Sequence, residues 1–546
     1  MTRHGSYLPC LLILAASVGA SCSNTVQADD WPALRGGGSG VVSPKSLLAG
    51  DEFGLKLRWK QPVGSGYSSV VVADGLVVVM FADGKDDVVA ALNAGDGKPV
   101  WKVSVGPTFK GANGSFDGPL STPLVTNGNV IALSARGRLV CVDLKTGEAR
   151  WTRELATEEK APLPLYGFTT SPILARNSVV VQIGAPDKSV IGVDPKTGET
   201  KWAAGNDRVA SQTPTVYEVG QRKIVLSSGG RFLLGIDPAD GTVLFQVEHG
   251  GGNGSAVTPV DLGNGLVLLT VDDSFSSAFR IQSEGDEVTA KLEWKERSIK
   301  NTYNIPVLQA DSVFAFSTRF LTCIDPATGK PRWKNRKPGD GFLAVVDGKL
   351  IVSTKRGSLH IAETSPSRYE EIASLKVFYF FYWSLPAFAD NAIFMRSFGA
   401  VARVDVTPGA ANLAATTETE DLPVGLEFQQ FLKAVSTAKS APERTVVVDK
   451  FMTDQKSFPI TEGDVVHFVY RGTCTDVAVA CDVFGARQER KMVRVAGTDL
   501  HYFSMRLPSD QRANYVFLVD YKVQPDELNT NRTTSSMYAG EMEFAV

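Results

Sequence analysis

Five segments of this chain align with one another without a gap, and that repetition restricts the fold more than any other feature. They are ALNAGDGKPVW, CVDLKTGEARW, GVDPKTGETKW, GIDPADGTVLF and CIDPATGKPRW. In each, an Asp or Asn is followed four residues later by Gly and eight later by an aromatic: Asn93/Gly97/Trp101, Asp143/Gly147/Trp151, Asp194/Gly198/Trp202, Asp237/Gly241/Phe245 and Asp325/Gly329/Trp333. The first four copies step by 50, 51 and 43 residues, and the 88-residue step to Asp325 holds two periods, with a degenerate copy around Phe279 to Trp294. Further degenerate copies lie near Leu359 to Ala362 and at Val401 to Asp405. A period of this length marks a stack or ring of units, none of which buries its apolar face alone.

Each unit reads as four short strands. A Ser/Thr-x-Pro or Ser/Thr-Pro step, such as Ser121-Thr122-Pro123 or Thr213-Pro214, opens an apolar strand ahead of each motif. Asp74-Gly75, Asn127-Gly128 and Asp347-Gly348 are two-residue hairpin signals, because both residues tolerate positive φ. Strands such as Leu76 to Phe81 are β-branched and almost continuously apolar, as sandwiched strands are. The sequence therefore predicts an all-β chain whose residues 30–408 form an eight-bladed β-propeller. The Leu57-Arg58-Trp59 strand is expected to complete the last blade and leave no open edge. Within the motif, Asp caps the turn, Pro fixes φ, Gly takes the left-handed position and the aromatic fills the gap between blades. These residues are read as architecture, not chemistry.

The Ala/Gly-x-Asp-x-x-Thr-Gly-x-x-x-Trp unit resembles the repeat of the pyrroloquinoline-quinone (PQQ)-like β-propellers, which include quinoprotein alcohol dehydrogenases and the outer-membrane assembly factor B lipoprotein. Trp31-Pro32-Ala33-Leu34-Arg35-Gly36 is similar to the opening of secreted bacterial members. The resemblance covers roughly residues 30–410. It implies the fold; activity does not follow from fold. The dehydrogenases use a catalytic Asp, a calcium held by Glu and Asn, and a disulfide between adjacent cysteines. This chain has no Cys-Cys pair, and Cys141 and Cys323 stand where other copies carry Ala91, Gly192 and Gly235. No catalytic residue, metal ligand or cofactor-binding residue can be matched, so no cofactor is expected, with PQQ plus calcium as the alternative. Ser68, Ser121, Thr170, Thr213 and Asn304 are expected to start inner strands and ring a central funnel, with strand-end hydrogen bonding as their plain role. The sequence holds no Gly-x-Ser-x-Gly elbow, Walker loop or His-Glu-x-x-His, and its five His are scattered.

Residues 1–28 read as a secretory signal: Arg3 and His4 precede an apolar run from Leu8 to Ala20. Two processing sites compete, Val26-Gln27-Ala28 before Asp29 and a lipobox-like Ala20-Ser21-Cys22 that would lipidate Cys22. Either places the mature chain in the periplasm or at the outer membrane, and no later segment is long and apolar enough to span a bilayer. With 56 Lys+Arg against 59 Asp+Glu the chain lacks the basic footprint of a nucleic-acid binder.

From about Pro408 the composition turns to Ala, Thr and Glu, so 409–440 is read as a linker with one short helix over Leu426 to Ala438. Residues 441–546 show alternating strands at Val465 to Val469, Asp476 to Ala480, Leu500 to Met505 and Tyr515 to Asp520, which indicates a β-sandwich. This stretch is similar to the early-set, immunoglobulin-like domains that precede enterochelin-esterase-type hydrolases and resemble glycogen-binding modules. Tyr515, Phe517, Asp520, Pro525, Asp526 and Asn529 match that family's ending, whereas Ala486 stands where its sugar-stacking Trp belongs. Cys474 and Cys481 are expected to stay unpaired. The expectation is an exported, non-catalytic propeller that binds an envelope protein or polymer. Its alternatives are a periplasmic PQQ-dependent oxidoreductase and a polysaccharide binder acting through the C-terminal domain.

Overall fold

In a computed structural model the chain divides into two compact units, residues 1–414 and 415–546. The structure describes residue 1 and residues 30–546, apart from 51, 114, 210, 250–257, 271–274, 301–302, 379–381, 410–421, 475, 482, 484–488, 509–512, 534–542 and 546. The secretory segment with Cys22, residues 410–421 of the linker and Ala486 lie outside the described residues.

Among the described residues the first unit holds eight antiparallel sheets. The first is a meander of Val71–Ala73, Leu76–Ala82, Asp86–Asn93 and Pro99–Pro107. Six more follow in the same order over 124–154, 173–204, 215–248, 260–296, 307–335 and 341–376. The eighth is completed from the opposite end of the sequence: Phe53–Pro62 pairs antiparallel with Ala400–Pro408 as its outermost strand, beyond Ala387–Ala389 and Ala392–Arg396. Asp74-Gly75, Asn127-Gly128 and Asp347-Gly348 all have positive φ, which matches the right-handed twist of the strands they join.

Strand burial follows position in the sheet. Second strands such as Ser178–Ala185 and Lys349–Thr354 are buried almost throughout, whereas outermost strands such as Ala149–Glu154 alternate between exposed and half-buried. Continuous burial requires an apolar neighbour on both faces, and successive sheets supply it. Separate hydrophobic clusters join the first sheet to the second, the second to the third, and so on to the sixth and seventh. One further cluster joins the seventh and eighth to the first, through Phe342, Phe394 and Val79. The apolar layers therefore run round a closed circle, which is a β-propeller.

The second unit contains two sheets. Ile460–Glu462, Val465–Arg471, Leu500–Arg506 and Val493–Arg494 form one; Glu489–Lys491, Val477–Cys481, Asn514–Val519, Glu543–Ala545 and Arg532–Thr533 form the other, with Lys522–Gln524 beside Asn514–Val519. Phe468, Val479, Tyr515 and Phe517 share one core. A second core lies under two helices, Leu426–Thr437 and Ala441–Asp454, whose Phe428, Phe431, Val435 and Val448 pack on Ile460, Val469 and Leu500. The sequence assigned the first helix to a linker and began the domain at 441; the structure places that helix in the second unit. The reason is visible at its start, where the Glu462 carboxylate accepts the Glu427 and Phe428 amides at 2.7 and 2.8 Å, satisfying donors a helix leaves open.

Candidate functional site

The motif turns occupy one end of the propeller. Asp143 Oδ1 accepts the amides of Lys145 and Thr146 at 2.9 and 3.0 Å, and Asp325 Oδ1 those of Ala327 and Thr328 at 2.8 and 3.0 Å. Asn93, Asp194 and Asp237 bond their own turns in the same way. Arg150 holds the Asp143 carboxyl down at about 2, so this cap stays ionised. Gly97, Gly147, Gly198, Gly241 and Gly329 all take φ between 70 and 82°.

Each indole is spent on the next sheet. Trp101 Nε1 donates to Leu144 O at 2.8 Å, Trp151 to Pro195 O at 3.0 Å and Trp202 to Pro238 O at 3.1 Å, in each case the residue after the next motif's Asp. Trp59 and Trp294 reach Ala94 O and Pro326 O in the same manner, and Trp333 reaches Ser365 O. The following motif's Gly lies flat against the ring: a Cβ on Gly198 would sit 2.8 Å from Trp151, and one on Gly147 2.9 Å from Trp101. Phe245 has no N–H to give, and the turn of the next sheet, 284–287, lacks the motif. The aromatic and the Gly-containing turn that interlock thus come from different repeats.

The small residues two places before the motif Asp lie opposite these rings. Ala91 pairs with Trp101, Cys141 with Trp151, Gly192 with Trp202, Gly235 with Phe245 and Cys323 with Trp333. Cys141 and Cys323 are buried free thiols whose burial pushes them up to about 11, far from a thiolate nucleophile. Cys474 is half-buried and Cys481 buried, and neither is in a disulfide among the described residues.

All five residues assigned to a funnel ring are buried: Ser68, Ser121 and Thr170 fully, Thr213 and Asn304 nearly so. Ser68 and Thr170 bond within their own sheets, to Ser69 O and Gln182 O. The residue one place later makes the belt between sheets. Ser69 N donates to Thr122 Oγ1 at 3.1 Å, Thr122 N to Ser171 Oγ at 2.9 Å, and Ser171 N to Thr213 Oγ1 at 3.0 Å. Leu385 N donates to Ser69 Oγ at 3.0 Å and carries the belt across the closure. Of the five, Thr213 is itself in the belt, whereas Ser68, Ser121 and Thr170 each stand one residue before a member of it.

The sequence missed the path of the N-terminal segment. Trp31 pairs with Val72 in the first sheet, Pro32 O accepts Val125 N in the second, Arg35 Nη2 donates to Pro306 O beside the sixth, and Val41–Val42 pairs parallel with Val345–Val346 in the seventh. Residues 31–42 thus cross the motif end of the central channel. Arg35 is 4% exposed, burial lowers the pKa of its guanidinium to about 9, and a Cβ on Gly40 would sit 3.0 Å from its Nε. Beside the crossing lies a cavity of about 570 Å³ lined by Leu34, Arg35, Asn127, Thr213 and Thr258.

A family model described as outer membrane protein assembly factor BamB matches residues 32–163 and 85–335, more than half of the chain. The chain belongs to that family. The assembly factor of Burkholderia pseudomallei is 26% identical over 289 residues, covering 43% of this chain and 71% of the relative. A tetrathionate hydrolase of Acidithiobacillus ferrooxidans is 29% identical over 248 residues, covering 41% of this chain and 46% of the relative. The quinohemoprotein alcohol dehydrogenase ADH IIB of Pseudomonas putida is 26% identical over 300 residues, 50% of this chain and 39% of the relative. The solved quinohemoprotein alcohol dehydrogenase of Comamonas testosteroni superposes with a TM-score of 0.52 at 13% identity, covering 77% of this chain and 86% of that one, which shows a shared fold.

The dehydrogenase relatives raise the question of a quinone with a metal ion. Among the described residues no group of three or more His, Cys, Asp or Glu is placed to hold a metal, and the sequence has no adjacent cysteines. No chemical step is derived through that pair.

Proposed function

We propose that this chain is an exported, non-catalytic scaffold of the bacterial envelope, whose eight sheets are the eight blades of a propeller and whose second unit is an immunoglobulin-like module. One observation carries the reading. The polar groups that recur are consumed by architecture: indole N–H on the next sheet's carbonyl, Asp on its own turn, hydroxyls on a belt between sheets. A propeller built in this way holds a rigid ring and leaves recognition to its unrepeated loops. Kinship with the assembly-factor family supports an envelope role, and among the described residues no helix is long and apolar enough to cross a membrane.

In the second unit, Tyr515 donates to Asp526 at 2.6 Å and Asn529 Nδ2 donates to Tyr515 Oη at 3.2 Å. These signature residues close the domain on itself, which favours an adaptor over a sugar platform. Full-length protein purified from its native envelope tests the proposal. Cross-linking is expected to recover one defined envelope partner, and addition of PQQ and calcium is expected to give no dye-linked oxidation of alcohols or sugars. Robust oxidation on reconstitution would replace the scaffold by an oxidoreductase, and specific retention on an insoluble glucan would assign the C-terminal unit to a polysaccharide.

A further inference from the structure

The two ends of the propeller carry opposite charge. In a four-stranded meander the turns between first and second strands, and between third and fourth, lie at one end; the middle hairpin and the link to the next sheet lie at the other. At the first end the turns between third and fourth strands, 93–98, 143–148, 194–199, 237–242, 284–287, 325–330 and 363–370, hold thirteen carboxylates and five cations. At the second end charge is uneven. Around the fifth to seventh sheets, residues 295–300, 317–320, 334–340, 354–357 and 376 hold ten Lys and Arg against Glu296 and Asp340. Asp272 and Asp273, between the second and third strands of the fifth sheet in the sequence, lie outside the described residues.

These cations are held over aromatic faces. Lys295 and Arg297 lie 4.4 and 4.7 Å from the Phe275 ring, Arg319 and Arg336 5.4 and 5.3 Å from Phe320, and Lys355 3.8 Å from Trp383. A ring beneath a guanidinium fixes the plane of its fork and limits the rotamer entropy lost on binding. The cations also crowd each other: burial and Lys300 lower Lys334, and burial and Arg356 lower Lys376. Tyr303 stands 57% exposed in the same sector, its ring 6.1 Å from that of Trp383.

Resting on the scaffold reading, we infer that this basic, aromatic-backed sector is the docking surface for an acidic polypeptide segment. Charge complementarity selects the occupant. Across the same end, the loops after the first and second sheets expose Phe116, Leu163, Leu165 and Tyr166 among Asp117 and Glu158. Asp117 and Glu158 are paired with Lys110 and Arg153, so this sector offers apolar contact with little net charge. A polypeptide can place an acidic stretch on the basic sector and apolar residues here, a two-part match that a uniformly anionic bilayer surface does not make.

Full-length protein is titrated with fluorescent poly-L-glutamate at low and high salt. The surface variant is R297E/K300E/K337E/R356E; the control, K98E/K145E/K196E/K330E, makes the same charge change at the motif end. Poly-glutamate is expected to bind the parent and the control within twofold of each other. The surface variant is expected to lose at least tenfold in affinity at low salt, with unchanged melting. Equal loss in both variants, or no binding by the parent, overturns the assignment. So does binding of anionic phospholipid vesicles but not poly-glutamate. The scaffold reading fails separately, by dye-linked oxidation or by the absence of a cross-linked partner; a partner still captured by the surface variant sinks only this sector.

Discussion

The motif end and the loop end of this propeller are built by different rules. At the motif end five near-identical turns hold five indoles by the same bond geometry, and a sixth indole, Trp333, bonds Ser365 O in the turn of the seventh sheet. At the loop end the hydroxyl belt repeats, but the longer connections between sheets share no letters, and charge gathers on one sector. Repetition serves the ring; irregularity marks where the ring has something to recognise. The contrast teaches where in a repeat protein to look for stability and where for binding.

The largest expected effect lies at the motif end. Trp202 is 5% exposed, so W202A leaves a large cavity and an unpaired Pro238 carbonyl, and calorimetry should show a loss of about 3–5 kcal/mol. The loop-end quadruple variant should melt within about 0.5 kcal/mol of the parent, since exposed charges rarely matter more. Equal destabilisation would erase the distinction between the ends.

Gly192 sharpens the comparison within the motif repeat itself. A Cβ there would sit 2.1 Å from the Trp202 ring, yet Ala91 and Cys141 carry one at the same place opposite their own rings. G192A should therefore cost about 1–3 kcal/mol in chemical denaturation through displacement of the ring. A neutral result would show that the ring has slack.

Asp87 provides a test near the loop end. It is 1% exposed, accepts Phe109 N at 3.2 Å, and burial raises it to about 6. Because the folded value exceeds the unfolded one, its ionisation opposes folding: the protein is favoured below about pH 4 and penalised as pH rises through 6. D87N should add about 2 kcal/mol at pH 8 and nothing at pH 4. The smallest effect is chemical: Cys141 and Cys323 should resist alkylation in the folded protein at pH 8, and quick labelling would place them outside the sheet interfaces.

Most of the ring was legible because its chemistry is local: Asp, Gly and the aromatic at fixed spacing set a turn and a strand that any reader of the repeat can place. What escaped was pairing between segments distant in sequence. Ser68-Ser69, Ser121-Thr122 and Thr170-Ser171 each offer two adjacent hydroxyls, and only the sheet next door decides which one joins the belt. The helix Leu426–Thr437 showed its apolar spacing, but its ownership depends on Glu462 and Leu500, far along the chain. The crossing of residues 31–42 left no periodic signal, since its bonds go to backbone groups of four different sheets. The loop-end charge was hidden inside a near-neutral total.

The central claim is that the recurring rings hold sheet to sheet and touch no ligand. Hydrogen exchange of the indole N–H groups in the full-length protein, followed by NMR with and without PQQ and calcium, addresses it directly. The six bonded indoles of Trp59, Trp101, Trp151, Trp202, Trp294 and Trp333 should exchange slowly and keep their shifts in both conditions. Fast exchange in the absence of ligand, or indole shifts that move when the quinone is added, would contradict the account.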